Sequence, residues 1–219
     1  DDAEALLQCA DAAMYRAKES RSDGYAFFSR EMNRRVRERL KIESGLRHGI
    51  AHDELLLYYQ PKADIASGRI VGAEALVRWQ HPERGLVPPD EFIPVAEQSG
   101  LIAQLSAWVM EAAFRQARQW DVAGLPIIKL AINLSAHDFS PDLAVRVEKL
   151  LTSRGLSPAW IELEITEGML THSSEGVIAM MDALTALGVS LSLDDFGTGY
   201  SSLAYLKRFP IDTLKIDRS

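Results

Sequence analysis

The spacing of hydrophobic positions changes character at about Asp53. Before it, Ala3, Leu6, Leu7, Ala10, Ala13, Met14 and Ala17 recur at helical period from Asp1 to about Glu19, until SRSDG (residues 20–24) stops the run. Tyr25 to Phe28 reads as a short strand, and residues 29–52 read as a linker helix with Met32, Val36, Leu40 and Leu46 on one face. After Asp53 the pattern becomes repeated strand-then-helix. LLLYYQPK (Leu55–Lys62) and RIVGAEALVRW (Arg69–Trp79) are separated only by ADIASG, and so short a link joins antiparallel neighbours. A loop, HPERGLVPPDEF, leads into one long helical stretch from Phe92 to about Trp120. Strands at IIKLAINLS, WIELEITE, VSLSLDD and TLKID then alternate with helices, the one before TLKID short. Units of that length predict a parallel sheet with helices outside it.

Parallel strands covered by helices are usually apolar on both faces, yet each of these has a polar face. In IELEITE, Ile161, Leu163 and Ile165 oppose Glu162, Glu164 and Thr166. Leu130, Ile132 and Leu134 oppose Asn133 and Ser135, Leu191 and Leu193 oppose Asp194, and Leu214 and Ile216 oppose Lys215 and Asp217. In the second hairpin strand Glu74, Leu76 and Arg78 share a face. If the apolar faces meet helices, Glu74, Arg78, Asn133, Glu164, Asp194, Lys215 and Asp217 converge at the C-terminal ends of the strands, an active-site geometry for an α/β barrel.

Crowded carboxylates need a positive partner, and an all-oxygen set without His or Cys suits Mg²⁺ or Mn²⁺. The five histidines are scattered without ligand spacing, which argues against zinc. Taken singly, each residue has a structural reading as well: Glu74 paired with Arg78, Asn133 as a satisfied buried amide, Lys215 paired with Asp217. Several strands delivering polar groups in phase favour the functional one. In DDFGTGYSSL (Asp194–Leu203) the adjacent Asp194 and Asp195 cannot both point inward on a regular strand, so the ladder must bend there, with Gly197 and Gly199 permitting the turn.

Composition adds exclusions. The 219 residues are 47% hydrophobic and 25% charged, ordinary for a globular chain, and no apolar run is long enough to span a membrane. The start lacks the pattern of a signal peptide, so a cytoplasmic location is expected. A net charge of −7 disfavours binding to long nucleic acids, and the arginines from Arg30 to Arg47 are interleaved with Glu31, Glu38 and Glu43 as on a solvated helix face. The single cysteine, Cys9, allows no internal disulfide.

From Asp53 to Ser219 the chain resembles the EAL family of cyclic di-GMP phosphodiesterases, through EALVRW (Glu74–Trp79), HPERGLVPPDEFIPVAEQSGLI, INLS, ELEITEG, DDFGTGYSSL and KIDRS in family order. The segment ADAAMYRAKESRSDGYAFFS resembles the C-terminal tail of a GGDEF domain, with Ser20-Arg21-Ser22 in place of the usual Gly-Arg-Asn. The organisation expected is a GGDEF remnant over residues 1–28, the linker helix over 29–52, and an EAL domain over 53–219. The fold implied is a TIM-like (β/α) barrel with an antiparallel first strand, truncated after about six strands. The resemblance implies that Glu74, Asn133, Glu164 and Asp194 hold one divalent metal and that Asp195 reaches toward a second. It implies that Lys215 positions or activates the attacking water and that Glu167 steadies the DDFGTG loop. Gln60, Leu76, Arg78 and Asp217 would touch the substrate, and Pro94 would border a guanine pocket. Family members open one phosphodiester of cyclic di-GMP to give pGpG, and many act as homodimers.

The family's last part carries a further glutamate at the metal site, a substrate-contacting glutamine and the final strands, none of which is in these 219 residues. The expectation is that this stretch alone is inactive or poorly folded, since a full barrel runs to about 250 residues. Two other readings remain. One is a receptor that binds cyclic di-GMP without cutting it. The other is an unrelated Mg²⁺-dependent barrel enzyme that forms an enolate with Lys215 as base.

Overall fold

A computed structural model describes residues 30–170, 175–197 and 208–217, together with Leu7, Ala10 and Met14, which are helical. The strand expected at Tyr25–Phe28 and the helix expected within residues 198–207 lie outside the described residues.

Helix α1 (Arg30–Ala51) precedes the hairpin β1 (Leu55–Ala63) and β2 (Ile70–His81). Then come β3 (Gly85–Val87), α2 (Pro89–Ser99), α3 (Ile102–Val122), β4 (Lys129–Asn133), α4 (Leu143–Arg154), β5 (Ile161–Thr166), a short α5 (Glu167–Leu170), α6 (Glu175–Ala186), β6 (Ser190–Phe196) and β7 (Thr213–Ile216). Two single-turn 3₁₀ helices, Ala136–Asp138 and Pro158–Trp160, lead out of β4 and into β5. The strands form one open mixed sheet in the order β1-β2-β4-β5-β6-β7, with β3 also on β2. β1 is antiparallel to β2, and β2, β4, β5, β6 and β7 are parallel neighbours. Among the described residues this is TIM-like winding in a sheet that does not close.

Among the described residues the sheet has seven strands, one more than the six predicted after Asp53. The extra one is β3, which folds back so that Trp79, Gln80 and His81 pair with Val87, Leu86 and Gly85. Three residues between Pro- and Gly-rich flanks are too few to show a period. The long helix expected from Phe92 is two helices, because Gly100 adopts φ 77° and ends α2 in the left-handed conformation glycine accepts at a helix C-terminus.

The alternation sorts side chains as expected in β4, β5 and β6, but not in β7, the edge strand of the described sheet, where Leu214 is 44% and Ile216 80% exposed instead of facing a helix. Leu130, Ile132, Ile161, Leu163, Ile165, Leu191 and Leu193 are buried with Val109, Phe114, Val147, Leu151, Met181 and Leu184 from the helices in one core. The expected α1 face needs correction. Leu40 is 58% exposed, and the buried stripe is Ile42, Leu46 and Gly49, spaced four and three apart. That stripe receives Trp79: a Cβ on Gly45 would lie 3.0 Å from the indole, and one on Gly49 only 2.7 Å from its Nε1. The indole donates to Glu54 Oε2 at 3.0 Å. α1 is thus packed into the core beside the β2 strand that carries Glu74 and Arg78.

Candidate active site

The inward faces of the strands meet around one ammonium group. Register aligns Glu74 of β2 with Ala131 of β4, Asn133 of β4 with Glu164 of β5, and Thr166 of β5 with Asp194 of β6. Lys215 from β7 reaches into this space and donates to Asp194 Oδ2 at 2.7 Å, Glu164 Oε2 at 2.8 Å and Glu74 Oε2 at 3.2 Å. Burial opposes the charge on Lys215, but its bonds to Asp194 and Glu164, helped by the charges of Glu164 and Glu74, outweigh that and raise its pKa above the ordinary lysine value.

The remaining oxygens of these carboxylates are held separately. Asn133 Nδ2 donates to Glu74 Oε1 at 2.8 Å, and the Asp195 backbone N–H donates to Asp194 Oδ1 at 2.9 Å. Glu164, whose side chain is fully buried, has its Oε1 bonded by Lys62 Nζ at 2.7 Å. Burial is the main influence on Glu164 and lifts its carboxyl above the usual range, although the two lysines work against it.

Glu74, Glu164 and Asp194 each offer one ligand oxygen within 4.8 Å of the others, the metal-capable acidic group found among the described residues. Three carboxylates already arranged about a single positive charge, with no nitrogen or sulfur ligand, fit a hard divalent cation, for which the Lys215 ammonium stands in. The described bonds of Lys215 and Arg78 run to other partners than the structural reading gave them. Lys215 bonds the three carboxylates, and Arg78 donates to the Val77 carbonyl at 2.8 Å with its guanidinium 5.4 Å from the Tyr58 ring centroid.

The strand does bend at the paired aspartates. Asp195 has φ 55°, and the β6–β7 register shifts between Leu193 and Phe196. Asp194 therefore stays with the cluster while Asp195 is exposed beside it, its carboxyl raised first by partial burial and then by the charges of Asp194 and Asp217. Glu167 is buried in the first turn of α5, and its Oε2 accepts from the Gly197 N–H at 3.1 Å.

Glu74, Asn133, Glu164, Asp194 and Lys215 thus form one bonded group. Gln60 is exposed opposite Glu74 in the hairpin register, and Leu76 and Arg78 lie farther along β2. Asp217 follows β7, and Pro94 is exposed on α2. Sequence reasoning missed Lys62, although its two-residue spacing from Gln60 puts it on the same face of β1.

The chain matches the family model described as EAL domain over residues 43–219. That match begins within α1, ten residues before the start expected from the sequence. Among curated proteins, the chain is 48% identical over 218 residues to an uncharacterized signaling protein of Caulobacter vibrioides, covering 99% of this chain and 26% of that protein. It is 44% identical over 214 residues to the bifunctional diguanylate cyclase/cyclic di-GMP phosphodiesterase MucR of Pseudomonas aeruginosa, covering 97% of this chain and 31% of MucR. The chain thus spans about a third or less of the length of these relatives. The solved structure of the PaMucR phosphodiesterase in its c-di-GMP complex superposes with a TM-score of 0.77 at 42% identity, over 81% of this chain and 72% of that one.

Proposed function

The chain belongs to the EAL domain family, and on that footing we propose that it carries the catalytic face of a metal-dependent phosphodiesterase that hydrolyses cyclic di-GMP to pGpG in bacterial second-messenger signalling. The observation that carries this reading is the convergence of Glu74, Glu164 and Asp194, from three parallel strands, on the Lys215 ammonium. The activity named for MucR and the nucleotide bound in the PaMucR structure support the choice of substrate.

In this reading Glu74, Asn133, Glu164 and Asp194 hold a Mg²⁺ or Mn²⁺ ion, and Asp195 faces a second. Such ions, when bound, polarise the phosphoryl oxygen and lower the pKa of a water molecule toward neutrality. The protein's own contributions are positional. Lys215, freed from part of its carboxylate contacts, donates a hydrogen bond to orient the attacking water or a phosphate oxygen. Arg78, steadied by the Tyr58 ring, and Gln60 contact the dinucleotide along β1 and β2, with Leu76 and Asp217 beside them and Pro94 at a guanine. Glu167 holds the backbone at Gly197, so that Asp194 and Asp195 keep their different directions.

Residues 1–28 are assigned here to the tail of a GGDEF domain, which the near-complete alignment with a bifunctional cyclase/phosphodiesterase supports. No described helix is long and apolar enough to cross a membrane. In this reading the domain works in the cytoplasm as a homodimer.

The test is hydrolysis of cyclic di-GMP by the full-length protein that contains these residues, with Mg²⁺ or Mn²⁺, read as pGpG, with Glu74→Ala as control. Product that disappears in the control supports the enzyme. Tight nucleotide binding without product would move the assignment to a receptor.

A further inference from the structure

Each of the three carboxylates around Lys215 divides its oxygens in the same way. One oxygen faces the ammonium, and the other is held from behind by a separate donor: Asn133 for Glu74, the Asp195 N–H for Asp194, and Lys62 for Glu164. We infer that Lys62 is a positioning residue for the metal centre, holding Glu164 Oε1 so that Oε2 alone is presented as a ligand. The inference rests on the metal-dependent reading above.

The fold has made room for this contact. Lys62 lies on β1, opposite Gly72 in the hairpin register, and must reach across β2 and β4 to touch β5. The inward positions it passes are small: Gly72 on β2 and Ala131 on β4, the latter in register with Glu162. A Cβ on Gly72 would lie 3.5 Å from Lys62 Cδ and 2.9 Å from the Lys129 carbonyl oxygen, so the lysine stem runs over a glycine that cannot take a side chain without displacing backbone. The ammonium ends between Glu162 Oε1 and Glu164 Oε1, each at 2.7 Å.

Glu162 completes the arrangement. It is 5% exposed and two residues from Glu164 on the same face of β5. Its carboxylate gives Lys62 a second anchor beside Glu164, fixing where the ammonium sits. A lysine with a single carboxylate partner could swing with Glu164, whereas one bridging two buried carboxylates cannot. A carboxylate whose second oxygen is engaged binds a cation through one oxygen, which suits the compact octahedral shells of Mg²⁺ and Mn²⁺. Outer contacts of this kind are typically worth 10–100-fold in metal affinity.

The sign of the effect separates positioning from mere charge. A positive group near a cation site repels the cation, so if Lys62 acted only through its charge, Lys62→Met would tighten Mn²⁺ binding. A positioning role makes the same variant bind more weakly. The decisive protein is the charge-neutral double variant Lys62→Met/Glu162→Gln, which removes the brace without changing the net charge. Mn²⁺ is titrated into wild type and both variants without nucleotide, following free Mn²⁺ by electron paramagnetic resonance, with thermal melts in chelator to confirm folding.

The expected result is a Mn²⁺ Kd raised about tenfold or more in the double variant, with the Mn²⁺ concentration for half-maximal turnover moving by a similar factor and KM for cyclic di-GMP little changed. A double variant that binds Mn²⁺ like wild type, or a Lys62→Met protein that binds it more tightly, overturns the inference and leaves the phosphodiesterase reading intact. If the double variant does not fold, Lys62→Met decides by the direction of its shift. A wild-type protein that binds no Mn²⁺ overturns the metal reading itself, before any variant is compared.

Discussion

Glu167 Oε2 accepts a hydrogen bond from the backbone N–H of Gly197 at 3.1 Å, tying the first turn after β5 to the end of β6 across thirty residues of chain. The paired strands β5 and β6 carry Glu164 and Asp194, so this bond braces the backbone just beyond two members of the carboxylate cluster from outside it. Gly197 has φ 107°, a conformation that an L side chain rarely takes. Hydrogen bonds to a charged group are typically worth about 1.5–3 kcal/mol. Glu167→Ala is expected to speed hydrogen exchange at the Gly197 amide and to lower turnover, with Glu167→Gln falling between it and wild type. Unchanged exchange at that amide would remove Glu167 from this role.

Removing a carboxylate from the cluster tests the metal site directly. Glu164→Gln and Asp194→Asn leave shape nearly unchanged while deleting a charged ligand. Since loss of an outer-shell partner costs 10–100-fold, each is expected to lower cyclic di-GMP turnover by more than about 100-fold. Chelation by EDTA is expected to abolish wild-type activity and added Mn²⁺ to restore it. Retained activity in EDTA would count against the assignment.

The raised pKa of Lys215 sets a pH dependence of stability. Its folded value lies above the ordinary 10.5 of the unfolded chain. The stabilisation it contributes is therefore fully present below about pH 10.5 and declines as pH rises from there toward the folded value. Thermal melts in chelator from pH 8 to 11.5 should show the advantage of wild type over Lys215→Met constant at first and shrinking in the last unit. A gap that widened with pH would contradict the arrangement of carboxylates described here.

Packing of α1 against β2 is tested at Gly49. Alanine in a helix interior is ordinarily more stable than glycine by about 1 kcal/mol. Here the added Cβ would lie 2.7 Å from Trp79 Nε1 and 3.0 Å from Glu54 Oε2, the two partners of one hydrogen bond. Overpacking of that kind typically costs about 1–3 kcal/mol. Gly49→Ala is expected to be the less stable protein by about 1 kcal/mol in urea unfolding, the reverse of the propensity rule.

The alternation of IELEIT, KLAIN and SLSLDDF was enough to determine from the sequence which side chains face the helices and which face the opposite side of the sheet, because strand periodicity is a local property of the backbone. Family motifs in order identified the same residues by resemblance. The bend at Asp194–Asp195 was also legible, since two adjacent residues cannot share one face of a strand. Tertiary structure alone decided the partners. The meeting of Lys215 with Glu74, Glu164 and Asp194, and of Lys62 with Glu162 and Glu164 across β2 and β4, depends on register between strands far apart in sequence and, for Lys62, on the small residues Gly72 and Ala131 between them. The buried face of α1 was likewise set by where Trp79 lands, which exposed Leu40 and placed Gly49 inside. Local pattern specifies the direction of a side chain. Which opposite charge it meets is fixed only when the sheet assembles, because burial makes that pairing obligatory.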